Sequence, residues 1–146
     1  MCYYFVAVCA IGFALQWTWE MAQMFAYREM AGQRWQDTVL TCTLATAGDI
    51  LATLSVYGFI AILKWNSRWV LQARTGDYVL AGLTGALIAI VTEKLATAYG
   101  LWSYTHAMPV LPVIEVGVLP LLQLIALIPI TLWVARRFSA RGAAEN

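Results

Sequence analysis

Glu20, Asp49, Glu93 and Glu115 stand inside otherwise apolar stretches of the chain. A charge held in hydrocarbon is costly, so acids found there are first read as functional. Burial and like-charge crowding each favour the neutral form of a carboxyl group. A neutral carboxyl beside an ionised one is a general acid next to a general base. In a lipid-filled site this pair suits protonation of a double bond, followed by proton loss, ring closure or water addition. Asp49 is the candidate acid and Glu93 the candidate base, with Glu20 and Gln23 orienting them and Glu115 a further acid. Trp19, Trp102 and Tyr104, together with Gln23 and Gln123, are candidates for contact with the bound molecule. Aromatic faces would stabilise a carbocation formed on it.

The bulk of the chain defines the solvent in which such a site must work. Of 146 residues, 62% are hydrophobic and 12% charged. A soluble domain carries about 25% charged residues. The length allows one domain, 1–146, and its surface must face a bilayer. The net charge of +1, with no run of basic residues, gives no footprint for nucleic acid. Cys2, Cys9 and Cys42 lack the spacing of a disulfide framework or a zinc site, and His106 is the sole histidine. No cofactor is called for, although oxygen ligands of this kind would suit Mg²⁺ or Ca²⁺. The first apolar segment has no basic start and carries Gln16, Trp19, Glu20 and Gln23, so it reads as a retained helix.

Four segments are long enough to span: about Tyr3 to Ala26, Thr38 to Leu63, Gly76 to Tyr99 and Val113 to Ala135. The fold class expected is therefore all-α, an integral membrane bundle of four helices. Residues 136–146 read as a polar tail. Lys64, Arg68 and Arg74 in the second connection, with Arg136, Arg137 and Arg141 in the tail, place both termini on the cytoplasmic side. The connection Gly100 to Pro112 is aromatic, carries prolines and has no Lys or Arg, so it reads as an outward cover. At 1.5 Å per residue, Glu20 and Glu93 each lie about 9 Å below the outer ends of their helices. Gln16, Glu20, Gln23 and Tyr27 form a polar stripe on the first helix, and Thr38, Cys42, Ala45 and Asp49 share a face of the second. Gly82, Ala86, Ala89, Glu93 and Gly100 make a face of mostly small residues on the third, which permits close approach. Pro120 and Pro129 should bend the fourth and free carbonyls near the site. Glu20, Asp49 and Glu93 are expected to converge in one outward cavity.

Trp19-Glu20-x-x-Gln23, Ala47-Gly48-Asp49, Glu93, Trp102-Ser103-Tyr104-x-x-x-Met108-Pro109-x-x-Pro112 and Pro120-Leu121-Leu122-Gln123 together carry a resemblance over most of the chain. The pattern resembles a group of small bacterial four-helix integral membrane proteins of unassigned function. That resemblance implies the bacterial cytoplasmic membrane and no particular activity. Trp102-x-Tyr104 followed by Pro112-Val113-Ile114-Glu115 is similar in layout to the membrane-embedded lycopene-type carotenoid cyclases, with one acid where their signature has two. The order of Glu93, Tyr104, Glu115 and Pro120-Leu121 is loosely similar to the sterol isomerase and sigma-2 receptor family, at different spacing. Both likenesses imply acids that act on, or bind, an apolar molecule. The expected partners are thus the bilayer, an isoprenoid-like lipid, and a second copy or a larger membrane complex. Two other functions fit the same acids: a proton- or ion-relay transporter, and an accessory subunit.

Overall fold

A computed structural model describes residues 2–142, and side chains over 3–138. The elements run α1 (Cys2–Gln23), two short 3₁₀ turns (Met24–Ala26 and Arg28–Met30), α2 (Trp35–Leu63), a 3₁₀ turn (Trp69–Gln72), α3 (Thr75–Ala98), β1 (Val110–Leu111), β2 (Val116–Gly117) and α4 (Val118–Gly142). Four helices are long and apolar enough to cross a membrane. Their outward faces carry large apolar residues, such as Leu40, Leu51 and Phe59 on α2 and Leu83, Leu87 and Val91 on α3. In water that surface would be a liability; against hydrocarbon it is the required one.

The helices form a ring in which α1 packs on α2 and α4, and α4 packs on α3, while α2 and α3 touch sparsely. The α3–α4 seam is close because of two glycines. A Cβ on Gly85 would lie 2.7 Å from the Leu124 carbonyl oxygen, and one on Gly82 would lie 3.0 Å from that of Ile125. Pro129, four residues after Ile125, supplies no N–H to that carbonyl. The carbonyl that the proline frees thus faces Gly82 rather than the carboxylates. Pro120 sits in the first turn of α4, where its missing N–H costs nothing.

The two ends of the bundle differ. The end holding Lys64 and Arg74, here the basic end, is filled by Val56, Ile60, Ala81, Ile128 and Leu132. It is tied by the Lys64–Asp77 ion pair, by Trp69 Nε1 donating to the Tyr57 carbonyl (3.2 Å), and by Arg136 Nη1 donating to the Ala73 carbonyl (3.1 Å). The other, capped end is covered by the Met24–Arg34 and Tyr99–Gly117 segments, which are stitched together. Arg28 N and Nε donate to the Ser103 and Tyr104 carbonyls (3.0 and 2.8 Å), Thr105 N donates to Ala26 O (2.9 Å), and Ser103 Oγ donates to Glu29 Oε1 (2.8 Å).

Three expectations are corrected. The fourth helix begins at Val118, not near Val113, because residues 110–117 form a small antiparallel hairpin pairing Val110 with Gly117 and Leu111 with Val116. The polar tail is not separate: α4 continues through Arg136 and Arg137 to Gly142, and 143–146 lie outside the described residues. Gly100 does not belong to the small face of α3. It is exposed at a φ of 67°, where its N–H and that of Leu101 close the last turn on Thr97 and Ala96.

Candidate active site

The site is built around Gln123, one turn into α4 and buried. Its Nε2 lies 3.0 Å from Gln16 Oε1, 2.8 Å from Glu20 Oε1 and 2.9 Å from Asp49 Oδ2. Its Oε1 accepts from Gln23 Nε2 at 2.8 Å. Gln23 also donates to Glu20 Oε1 (2.9 Å) and accepts from Trp19 Nε1 (3.0 Å). Every polar atom of Gln123 is therefore used inside the protein. It ties Glu20 and Asp49 to α4, and it also lines the cavity described below. Gln23 lines the cavity as well, and the Trp19 N–H is engaged with Gln23.

Three oxygens surround an amide nitrogen that has only two hydrogens. One of them must be satisfied in another way. Gln23 Nε2, which also reaches Glu20 Oε1, supplies the further donor. The polar stripe of α1 is what makes the cluster possible. Gln16, Glu20 and Gln23 follow at intervals of four and three residues and so face α4 together. On α2 the buried stripe is Thr38, Cys42, Thr46 and Thr53, with Asp49 between them, whereas Ala45 turns outward into the cavity wall.

Glu93 forms a second pole. It is buried, and its Oε2 accepts from the Tyr104 hydroxyl and from Trp102 Nε1 (3.2 Å). The Tyr104 oxygen in turn accepts from Gly117 N at 3.1 Å, so the hairpin fixes the tyrosine. Tyr27 packs beside both, its ring 6.2 Å from that of Trp102 and 6.0 Å from that of Tyr104. Burial, followed by the bond to Glu93, pushes the Tyr104 phenol well above its ordinary range, and burial next to Glu93 does the same for Tyr27. Both remain donors. Glu93 is therefore held by two donors, Trp102 and Tyr104, that the chain supplies after α3 ends.

A cavity of about 350 Å³ joins the two poles. Glu20, Gln23 and Asp49 line one side, and Glu93, Trp102 and Tyr27 another. Leu44, Ala45, Gly48 and Ala52 of α2 and Ile88 and Thr92 of α3 line the sparse seam, where Leu44, Ala45, Gly48 and Thr92 are exposed. The cavity is thus roofed by the stitched loops and open sideways between α2 and α3.

Glu115 does not join the others. It sits in the hairpin turn at a φ of 51°, its side chain is 79% exposed, and its carboxylate lies 3.7 Å from Lys94 Nζ. No Lys or Arg pairs with Glu20, Asp49 or Glu93 among the described residues; the ion pairs are Arg34–Asp37, Lys64–Asp77 and Lys94–Glu115. Nor do three Asp, Glu, His or Cys side chains group as a metal site would require among the described residues. Gln16 and Glu29 also belong to the site's surroundings and were not singled out as site residues from sequence. Gln16 was visible in the α1 stripe. Glu29, in a polar connection, gave no sign that it lines the cavity. No family model, curated protein or solved structure matches the chain.

Proposed function

We propose that this is a multi-pass protein of the bacterial cytoplasmic membrane that takes an isoprenoid-like lipid from the bilayer and moves protons on it. The cytoplasmic placement of both termini rests on the basic residues at one end. The observation that carries the reading is the cavity, roofed by bonded loops with Glu29 at their edge, open sideways through the α2–α3 seam, and holding acids at two separate poles. A water-borne substrate would meet the roof. A membrane-borne one reaches the acids through the seam.

In this reading Asp49, with Glu20 and Gln123 beside it, donates a proton to a carbon–carbon double bond of the lipid. The positive charge forms on the neighbouring carbon, close to the Tyr27 and Trp102 rings. Glu93 accepts a proton from an adjacent carbon, and a new double bond forms there. The sum is an isomerisation; attack by a second double bond before proton loss makes it a cyclisation. Tyr104 and Trp102 orient Glu93 and relax their hydrogen bonds as it takes the proton.

The test uses protein extracted with its native lipids. Mass spectrometry should find an isoprenoid enriched over the bulk phospholipid. Gly48→Leu, which fills the seam, should abolish that enrichment. Asp49→Asn should keep the enrichment and the fold, yet stop incorporation of solvent deuterium into the lipid. Equal lipid content in wild type and Gly48→Leu removes the reading.

A further inference from the structure

The cavity is closed in one direction and reaches water in the other. Towards the basic end its floor is Ala52, Ile88, Ala89 and Leu124, and Val56, Ile60, Ala81 and Ile128 fill the bundle beyond. The polar groups in that direction are isolated or engaged. Thr53 Oγ1 donates to the Asp49 carbonyl, and the Tyr57 and Tyr4 hydroxyls donate to the Ser67 and Leu132 carbonyls. Thr131 Oγ1 is buried with no partner. Among the described residues these groups do not link into a chain.

Towards the cap the lining ends at Tyr27, Glu29 and Met30. Glu29 is exposed to water. On the far side of Tyr27 and Met30 lies a second cavity of about 330 Å³, lined also by Phe25, Gln33, Trp35 and Thr38. Tyr27 and Met30 line both spaces, so two side chains form the partition between them. The charged and titratable groups around Glu29 are Arg28 and Tyr27 on its own segment, with Ser103 and Tyr104 on the facing loop. The Arg28 Nε is committed to the Tyr104 carbonyl. Burial pulls the Glu29 carboxyl upward, but hydrogen bonds led by those from Ser103 outweigh it and hold the group below its usual range. It is an ionised acceptor at the mouth.

We propose that the buried acids exchange protons with water only at the capped end, through Glu29 and the Tyr27–Met30 partition, and that the basic half of the bundle is proton-tight. This rests on reading the cavity as a proton-transfer site. A proton from water passes to the Glu29 carboxylate and on through cavity water to the Glu20–Asp49 pair after that pair has protonated the lipid. The proton that Glu93 takes from the lipid leaves by the same mouth. No net charge crosses the membrane, which separates this protein from a proton-relay transporter.

Transfer of nanodisc-embedded protein into D₂O, followed by infrared spectroscopy of the protonated carboxyl band, measures the exchange without any lipid substrate. Glu29→Gln and the plugging variant Met30→Trp should each slow exchange about tenfold or more, with Glu29→Asp close to wild type. Proteoliposomes under a pH gradient should take up protons no faster than protein-free vesicles. Unchanged exchange in both slowed variants, or proton uptake through the wild-type protein, overturns the proposal. So does the absence of any protonated carboxyl band. Slowed exchange in a protein that carries no enriched isoprenoid sustains this inference while removing the lipid reading.

Discussion

α3 meets its two neighbours in opposite ways. Towards α4, Gly82 and Gly85 bring the helix against the backbone of Leu124 and Ile125. Towards α2 the facing glycine is Gly48, and a Cβ built there would meet nothing within 4 Å. Small residues let membrane helices approach, because apolar burial alone gains nothing when the solvent is also apolar. On the α4 side that freedom is used to make contact. On the α2 side the same residue type leaves open space beside the cavity that holds the carboxylates. The residue alone does not decide between contact and opening; what stands opposite does.

The largest effect that would test this contrast is on stability. Gly85→Val places a Cβ 2.7 Å from Leu124 O, a backbone atom, and 3.1 Å from Ile128 Cδ1. It should cost about 3 kcal/mol or more, read by denaturant unfolding of the protein in detergent. Gly48→Ala should be neutral, or stabilising by up to about 1 kcal/mol, since it improves helix propensity in open space. Equal behaviour of the two variants would mean that the seams are alike. Gln123→Leu comes next. It leaves Gln16, Glu20 and Asp49 without their shared donor and removes one of the two acceptors of Gln23. A loss of about 3 kcal/mol is expected, with loss of deuterium incorporation into lipid. If Gln123→Leu is instead stabilising, the acids do not depend on the amide.

Much of this contrast was visible in the chain. The length and apolarity of the four segments, the stripe Gln16–Glu20–Gln23 and the three interior acids Glu20, Asp49 and Glu93 all follow from one-helix periodicity, which is local. What was hidden depends on which residue stands opposite. Gly85 and Ala86 are adjacent small residues, and only the position of the Leu124 carbonyl makes the glycine the contact. Gln123 stands out in the sequence as a candidate for contact with the bound molecule, not as the hub of the acids. Its central place depends on α1 and α2 presenting three oxygens to it. Residues 113–117 are apolar enough to extend a helix, yet Pro112 before them and the hairpin pairing of Val116 and Gly117 take them out of it. The bonds from Arg28 to Ser103 and Tyr104 span more than seventy residues and leave no periodic trace.

Tyr104→Phe sharpens the difference between the two poles of the cavity. It removes the hydroxyl that Glu93 and Gly117 N share, but Trp102 Nε1 still reaches the carboxylate. A loss of about 1–2 kcal/mol is expected, smaller than for Gln123→Leu, because one donor to Glu93 remains. The substitution should also lower deuterium incorporation without changing the amount of lipid that copurifies. A fall in lipid content instead would make Tyr104 part of the binding surface and not only the support of Glu93.

The smallest effect belongs to the fourth interior acid, and its size carries the argument about position. Glu115 and Glu93 were alike in sequence: each a carboxylate in an apolar stretch, each near a helix end. They differ in what encloses them. Glu93 is 4% exposed and bonded to two aromatic donors, whereas the Glu115 side chain is 79% exposed and faces a half-exposed Lys94 at 3.7 Å. An exposed pair of that length is worth little, since solvent and salt screen it. Glu115→Gln should therefore change stability by less than about 0.5 kcal/mol and leave lipid content and deuterium incorporation as in wild type. Glu93→Gln should stop incorporation under the same conditions. If Glu115→Gln also stops it, the hairpin turn folds inward during the reaction and the two poles of the cavity are joined by a third.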